Sequence, residues 1–257
     1  MQTWDPEQYL RFEKERTQPS IDLVARIPLD DPKNIIDIGC GPGNSTQILR
    51  RRWPHAGIVG IDKSEKMIAK ARADFPDQTW RIADVATMET DTQYDLVFSN
   101  AVIQWIPDHN KLIPRLFGFV KEGGMLAVQV PANYESPLHQ IILAVARDSK
   151  WSSFTSGCGK LLTYLPAEYY YNLLVSLTRD VAMWETTYYH VLESHQDLVS
   201  WYKGTAMKPF LERLTSEKMR GEFEQEVLRE SKGHYPLQSD GRVLYPFKRL
   251  FFTARKS

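Results

Sequence analysis

Between residues 34 and 130 the hydrophobic pattern changes period repeatedly, as short β-branched runs ending on glycine or an acidic residue give way to helical spacing. Asn34-Ile35-Ile36 opens a run that stops at Gly39, and Gln47-Ile48-Leu49-Arg50 beyond it begins a helical pattern. Strand, tight turn and helix are therefore predicted in that order. Further strands are predicted over residues 57–61, 79–83 and 94–98, closing on Asp62, Asp84 and Ser99-Asn100, with a fifth at 123–130 entered through a Gly123-Gly124 turn. Such alternation predicts a doubly wound α/β core with a mostly parallel sheet. After Pro131 the texture changes. Helical runs are expected over 138–146 and 166–177, strand character returns over 180–192, a charged helical stretch covers 195–232, and residues 242–254 form a last strand.

The densest chemistry lies in Asp37-Ile38-Gly39-Cys40-Gly41-Pro42-Gly43, directly behind the first strand. Alternate glycines leave no Cβ between backbone and ligand, and the helix that follows offers free N–H groups in its first turn. A dinucleotide fingerprint would place its third glycine at position 44, which is Asn44, and Pro42 stiffens the loop and removes a donor. No Gly-Lys-Ser or Gly-Lys-Thr follows, which excludes a P-loop. Asp62 stands roughly 20 residues beyond the loop, where an acidic side chain can accept from both hydroxyls of a ribose. Asp62 also suits a capping box with Glu65, and Asp84 suits a turn before Met88. Their joint occurrence at successive strand ends favours a ligand site, because open α/β sheets bind ligands beyond the carboxyl ends of their strands.

The D-x-G-x-G-x-G run resembles motif I of the class I S-adenosylmethionine-dependent methyltransferases. That resemblance implies a Rossmann-like sheet of seven strands, with the last strand antiparallel between the fifth and sixth, and a helical cap over the active site. It further implies cofactor contacts at Asp37, Gly39, Gly41, Gly43 and Asp62, with Asp84 facing the adenine amine, Val85 beside the ring and Asn100 near the methionine end. Over nearly its full length the chain is similar to the trans-aconitate 2-methyltransferases: Trp4-Asp5-Pro6, Tyr9, Phe12, Arg16 and Pro19, then GCGPGNSTQ from Gly39, QWIPDH from Gln104 and LAVQVP from Leu126. TTYYH from Thr186, Tyr235-Pro236-Leu237 and Arg249-Leu250-Phe251 continue the match, whereas residues 151–164 match no family motif. One domain is expected, its core at about 20–131, 160–192 and 242–257 and its cap at about 1–19, 132–159 and 193–241.

Composition narrows the function. The 257 residues are 42% hydrophobic and 25% charged with a formal net charge of zero, so there is no overall basic field for nucleic acid. Residues 1–16 contain no apolar stretch resembling a signal peptide, and no run approaches membrane-spanning length. With two cysteines, Cys40 and Cys158, a disulfide framework is not expected, and a reducing cytoplasm is. The six histidines form no local ligand pair, so no metal is expected.

The family resemblance implies methyl transfer to one carboxylate of trans-aconitate, with S-adenosylhomocysteine as the other product. A polycarboxylate calls for forked cations and neutral donors. Trp105, His109, Tyr134, His139, Tyr235 and Arg249 are the candidates for acceptor chemistry, and Arg16 is a candidate either for closing the N-terminal segment over the site or for a structural ion pair. Two alternatives stay open at this point: a methyltransferase for another small acid, such as a malonyl-carrier thioester, or for an amine, and a non-catalytic S-adenosylmethionine-binding module.

Overall fold

The computed structural model describes residues 13–257. Trp4, Asp5, Pro6, Tyr9 and Phe12, which carry the opening family pattern, lie outside the described residues. Strands β1 (Asn34–Ile38), β2 (Gly57–Asp62), β3 (Thr79–Ile82), β4 (Tyr94–Asn100), β5 (Val120–Pro131), β6 (Val181–Leu192) and β7 (Val243–Arg255) form one sheet in the order β3-β2-β1-β4-β5-β7-β6. The first five strands pair in parallel, and β7 inserts antiparallel to both β5 and β6. Five apolar runs joined by crossover connections, three of them helical, account for the parallel part. The long β7 then supplies an antiparallel partner for two strands at once.

Both faces of the sheet are buried, so side chains alternate between two helical layers. Ile36, Ile38, Val97, Val128 and Phe252 face helices α4 (His109–Gly118) and α7 (Ala167–Val175), where Ile113, Leu116 and Tyr170 are buried. Ile35, Leu96, Phe98, Ala127 and Phe251 face α1 (Glu13–Ala25) and α2 (Asn44–Arg52) through Leu23, Val24 and Leu49. Helix α3 (Glu65–Asp74) is capped by Ser64, whose hydroxyl accepts from the Met67 N–H at 3.4 Å, rather than by Asp62. Trp80 from β3 and Phe75 close a small cluster with Cys40 and Ile68 beneath the glycine loop.

The charged stretch over 195–232 is broken into α8 (His195–Lys203), α9 (Lys208–Leu211) and α10 (Glu217–Ser231). Ser194 and Ser216 cap the first and last of these through the Asp197 and Met219 N–H groups. These helices share an apolar core with α5 (Pro137–Arg147), which the short α6 (Ser152–Thr155) follows, and Leu138, Ile142, Leu198, Phe210, Phe223 and Tyr245 are buried in that core. The cap therefore has its own packed interior, and β7 joins it to the sheet: Tyr245 and Phe247 belong to the cap core, Phe251 and Phe252 to the sheet.

Candidate functional site

The glycine loop leaves β1 in a chain of left-handed turns, with φ of +66° at Gly39, +55° at Gly41 and +102° at Gly43. A Cβ built on Gly41 would meet nothing within 4 Å, so this position opens onto empty space above the sheet. Gly43 faces the other way. Its Cβ would lie 2.7 Å from the Trp80 ring, so this third glycine serves packing and lies outside the lining of the cleft above the loop.

That cleft, about 770 Å³, is lined by Gly39, Gly41, Asp62, Asp84, Val85 and Asn100 among others, from the carboxyl ends of β1, β2, β3 and β4. Asp62 accepts from the Gly41 N–H at 3.0 Å through one oxygen and from the Ser64 N–H at 2.8 Å through the other. A carboxylate has about four lone-pair sites, so each oxygen keeps one for a ligand diol. Burial raises its pKa, against those two N–H donors. Asp84 accepts from the Ala86 N–H at 2.9 Å, and its carbonyl accepts from Met88 N–H at 2.8 Å, so it both turns the chain and lines the cleft. The Asn100 carboxamide oxygen is buried and has no partner among the described residues.

Asp37 lies beneath the loop rather than in the lining. One of its oxygens accepts from Ser45 Oγ at 2.7 Å and Thr46 Oγ1 at 2.6 Å, which ties the first turn of α2 to β1. Desolvation pushes its pKa up to about 7, against those hydroxyls, with a smaller contribution from the Asp62 charge.

A second cavity of about 640 Å³ meets the first at Ala101 and Trp105, which line both. Ala101 holds φ of +57°, a left-handed conformation costing a non-glycine residue about 1 kcal/mol. Its strained turn ends β4 and starts the short helical turn Ile103–Trp105, and the Gln104 amide donates back to the Ala101 carbonyl at 2.8 Å. Arg249, from β7 and only 3% exposed, enters the second cavity with its guanidinium 4.6 Å above the Phe247 ring and Nη1 donating to Gln129 Oε1 at 3.2 Å. Arg16 of α1 lines the same cavity, its guanidinium 5.2 Å from the Trp201 ring centroid. Gln104, Asn133, Tyr164, Tyr202 and Thr205 add to the polar lining. The Tyr202 hydroxyl accepts from Asn133 Nδ2 and, at 2.9 Å, from the Tyr245 hydroxyl.

Of the six acceptor candidates, Trp105 and Arg249 line this cavity, and the other four lie outside its lining. Both ring nitrogens of His109 are engaged, Nδ1 with the Tyr170 hydroxyl at 2.8 Å and Nε2 with the Ile103 and Ile106 carbonyls. Burial lowers its pKa, against those two carbonyls. Tyr134 and His139 pack against Tyr164, tilted and edge-on respectively, with ring centroids 5.4 and 5.1 Å from it, and burial lowers the His139 pKa to about 4. The Tyr235 hydroxyl accepts from the Leu138 N–H at 3.0 Å, at the start of α5. Tyr164, Trp201 and Tyr202 were not singled out by sequence reasoning. Tyr164 falls in the segment without a family motif, and the adjacent bulky aromatics Trp201-Tyr202 in a charged helix were the one available signal.

A family pattern described as a methyltransferase domain matches residues 9–211. Among solved structures, YcgJ of Bacillus subtilis superimposes with a TM-score of 0.60 at 12% identity, covering 93% of this chain and 100% of that one. Phosphoethanolamine N-methyltransferase 2 of Haemonchus contortus, solved with S-adenosyl-L-methionine, gives 0.58 at 14% identity, over 93% of this chain and 53% of that one. Both likenesses concern the fold. Curated relatives are far nearer: trans-aconitate 2-methyltransferase of Methylobacterium radiotolerans is 42% identical, covering 100% of both chains. Those of Variovorax paradoxus and Escherichia coli O139:H28 are 41% and 40% identical, each over 100% of this chain and 99% of the relative. With identity of this extent from end to end, the chain belongs to the trans-aconitate 2-methyltransferase family.

Proposed function

We propose that this chain transfers the methyl group of S-adenosylmethionine to a carboxylate of trans-aconitate, giving a monomethyl ester and S-adenosylhomocysteine. The acceptor chemistry is carried by one observation: the described lining of the second cavity holds two guanidinium groups, Arg16 and Arg249, and no carboxylate or imidazole. A carboxylic acid with an ordinary pKa near ~4 is already ionised at neutral pH and needs no base. Amines and alcohols arrive protonated and call for one. The two phenols in the lining do not fill that role, because burial raises the pKa of both Tyr164 and Tyr202.

The first cavity suits the donor on separate grounds. Open space beside Gly41 admits a ligand that a side chain would displace. The two oxygens of Asp62 match a ribose diol, Asp84 and Val85 flank an adenine, and the orphan Asn100 oxygen suits an ammonium group. When bound, S-adenosylmethionine supplies an electrophilic methyl group on a sulfonium sulfur. Every other task falls to the protein. Arg249 holds a substrate carboxylate with its fork, Trp105 separates the two ligands to the reaction distance, and the aromatic walls exclude water. His109, Tyr134, His139 and Tyr235 support those walls from behind. No proton has to move, since the attacking oxygen enters without one.

A cytoplasmic setting and a small-molecule partner, without nucleic acid or membrane, complete the reading. Support comes from two buried free thiols, a net charge of zero, and the finding that no helix among the described residues is long and apolar enough to cross a membrane. The test uses purified chain, methyl-labelled S-adenosylmethionine and trans-aconitate. Base-labile labelled ester is expected, and no turnover alongside intact donor binding would overturn the substrate assignment.

A further inference from the structure

The Tyr202 phenol, 1% exposed, is the centre of a buried hydrogen-bond cluster in the wall of the second cavity. Its oxygen accepts from Asn133 Nδ2 and, at 2.9 Å, from the Tyr245 hydroxyl. Two donors fill the acceptor capacity of a phenol oxygen, so what Tyr202 has left to give is its own hydrogen. Among the described residues the one further group in reach is Ser136 Oγ at 3.4 Å, well beyond the ~2.7–2.8 Å of a good O–H···O bond. That hydroxyl already caps α5 by accepting from the His139 N–H. Asn133 Oδ1 does not take the hydrogen either, since it has no partner among the described residues.

Trans-aconitate brings three carboxylates into this cavity. One has to reach the methyl group where the two large cavities meet at Trp105, and Arg249 holds another. The remaining carboxylate, out of water, is strongly destabilised unless a donor meets it. Two polar groups of the lining are unsuited to that task. The Thr205 hydroxyl turns back onto the Trp201 and Tyr202 carbonyls at 3.3 and 3.5 Å, and Gln104, with its nitrogen committed to the Ala101 carbonyl, presents a buried oxygen that repels an anion. Tyr202 has the right sign, and its neighbours Asn133 and Tyr245 hold the phenol oxygen in place.

We propose that Tyr202 is a specificity-determining residue of the acceptor cavity, its phenol donating to a substrate carboxylate other than the one on Arg249 and so favouring tricarboxylates over dicarboxylates. The inference rests on the proposed acceptor reading. It gives Asn133 and Tyr245 positioning roles that act through the phenol.

Kinetics on the full chain test this with three dicarboxylates that each lack one arm of trans-aconitate: itaconate, trans-glutaconate and mesaconate. Their inhibition constants against methyl transfer to trans-aconitate report binding whether or not they are methylated. Tyr202→Phe is expected to lower kcat/KM for trans-aconitate by about ten- to a hundredfold, the range of a hydrogen bond to a charged group. Two of the dicarboxylates are expected to weaken to the same extent, and the one without the arm that Tyr202 reads by less than about threefold. Arg249→Met is expected to spare a different acid. Tyr245→Phe, outside the cavity lining, removes a hydroxyl from the same cluster and is expected to give a smaller loss spread evenly over the acids. If the Tyr202→Phe protein does not fold, Asn133→Asp sets a negative charge beside the phenol and is expected to repel the same arm, with the same acid spared. Equal losses on all the acids with Tyr202→Phe would overturn the proposal, as would an unchanged kcat/KM or the sparing of one and the same acid by Tyr202→Phe and Arg249→Met. Wild-type chain that binds S-adenosylhomocysteine but never turns over trans-aconitate would instead refute the acceptor reading beneath it.

Discussion

Replacing Arg249 with methionine removes the fork while keeping most of the apolar stem, and its effect follows from the geometry of the second cavity. The guanidinium is 3% exposed and lies over Phe247, so a substrate carboxylate that reaches it does so largely out of water. A pair of opposite charges at about 4 Å gains roughly 4 kcal/mol at an effective dielectric near 20. Truncating one partner of a buried hydrogen-bonded charge pair costs about 2–5 kcal/mol. Desolvation of the substrate offsets part of this, which leaves about 2–4 kcal/mol, or roughly a thirty- to seven-hundredfold loss in kcat/KM. Initial rates with trans-aconitate at saturating donor measure it. Affinity for S-adenosylhomocysteine is expected to stay the same, because Arg249 lies outside the lining of the donor cleft. The Gln129 oxygen loses its Arg249 donor, so a stability loss of about 1–3 kcal/mol accompanies the change. A folded Arg249→Met protein with kcat/KM within about threefold of wild type would refute the assignment.

Three further outcomes follow from the donor side. Asp62→Ala is expected to weaken S-adenosylhomocysteine by about 1.5–3 kcal/mol by calorimetry, and unchanged affinity in a folded protein would remove Asp62 from the ribose. Gly41→Ala meets open space and costs about 1 kcal/mol of stability for its φ of +55°, yet lowers donor affinity, whereas Gly43→Ala collides with Trp80 and shows chiefly as a lowered Tm. If both glycines gave the same balance of binding and stability loss, the division of roles would be wrong. Asp37 has a folded pKa of about 7, above its unfolded value, so the native state binds the extra proton between about pH 4 and 7. Stability contributed by this group therefore falls as pH rises through that window, at a limiting slope of about 1.4 kcal/mol per pH unit, and denaturation of Asp37→Asn is expected to lack that slope.

How far the sequence was legible depended on the range of the interaction. The β-branched runs, the loop and the acidic strand ends depend on neighbours in the chain, and the sheet contains strands where those patterns lie. The predicted antiparallel last strand is present between β5 and β6. Helix boundaries after residue 195 were blurred because charged residues on exposed turns hide where one helix stops, and the breaks at Gly204 and Leu214-Thr215 show only in the packing. Site geometry was the hardest to read. Gly43 falls within a cofactor motif but faces Trp80, from a strand two helices further along the chain. His109 turns inward to a Tyr170 hydroxyl 61 positions away. Tyr164, Trp201 and Tyr202 meet in one cavity only because the cap folds back over the strand ends, a relation that no local pattern encodes.

Among the described residues, the two large cavities share only Ala101 and Trp105. Apart from those two, the donor cleft draws on residues 38–106, whereas the second cavity draws mainly on residues 131–249. Substitutions in the cap can therefore reshape the acceptor while leaving the donor's surroundings intact, so descendants of such a fold can change what they methylate without relearning how to hold the methyl group. For an engineer, the same seam marks where cap segments from relatives can be exchanged, with the strained Ala101 turn and the Trp105 indole kept as the fixed joint.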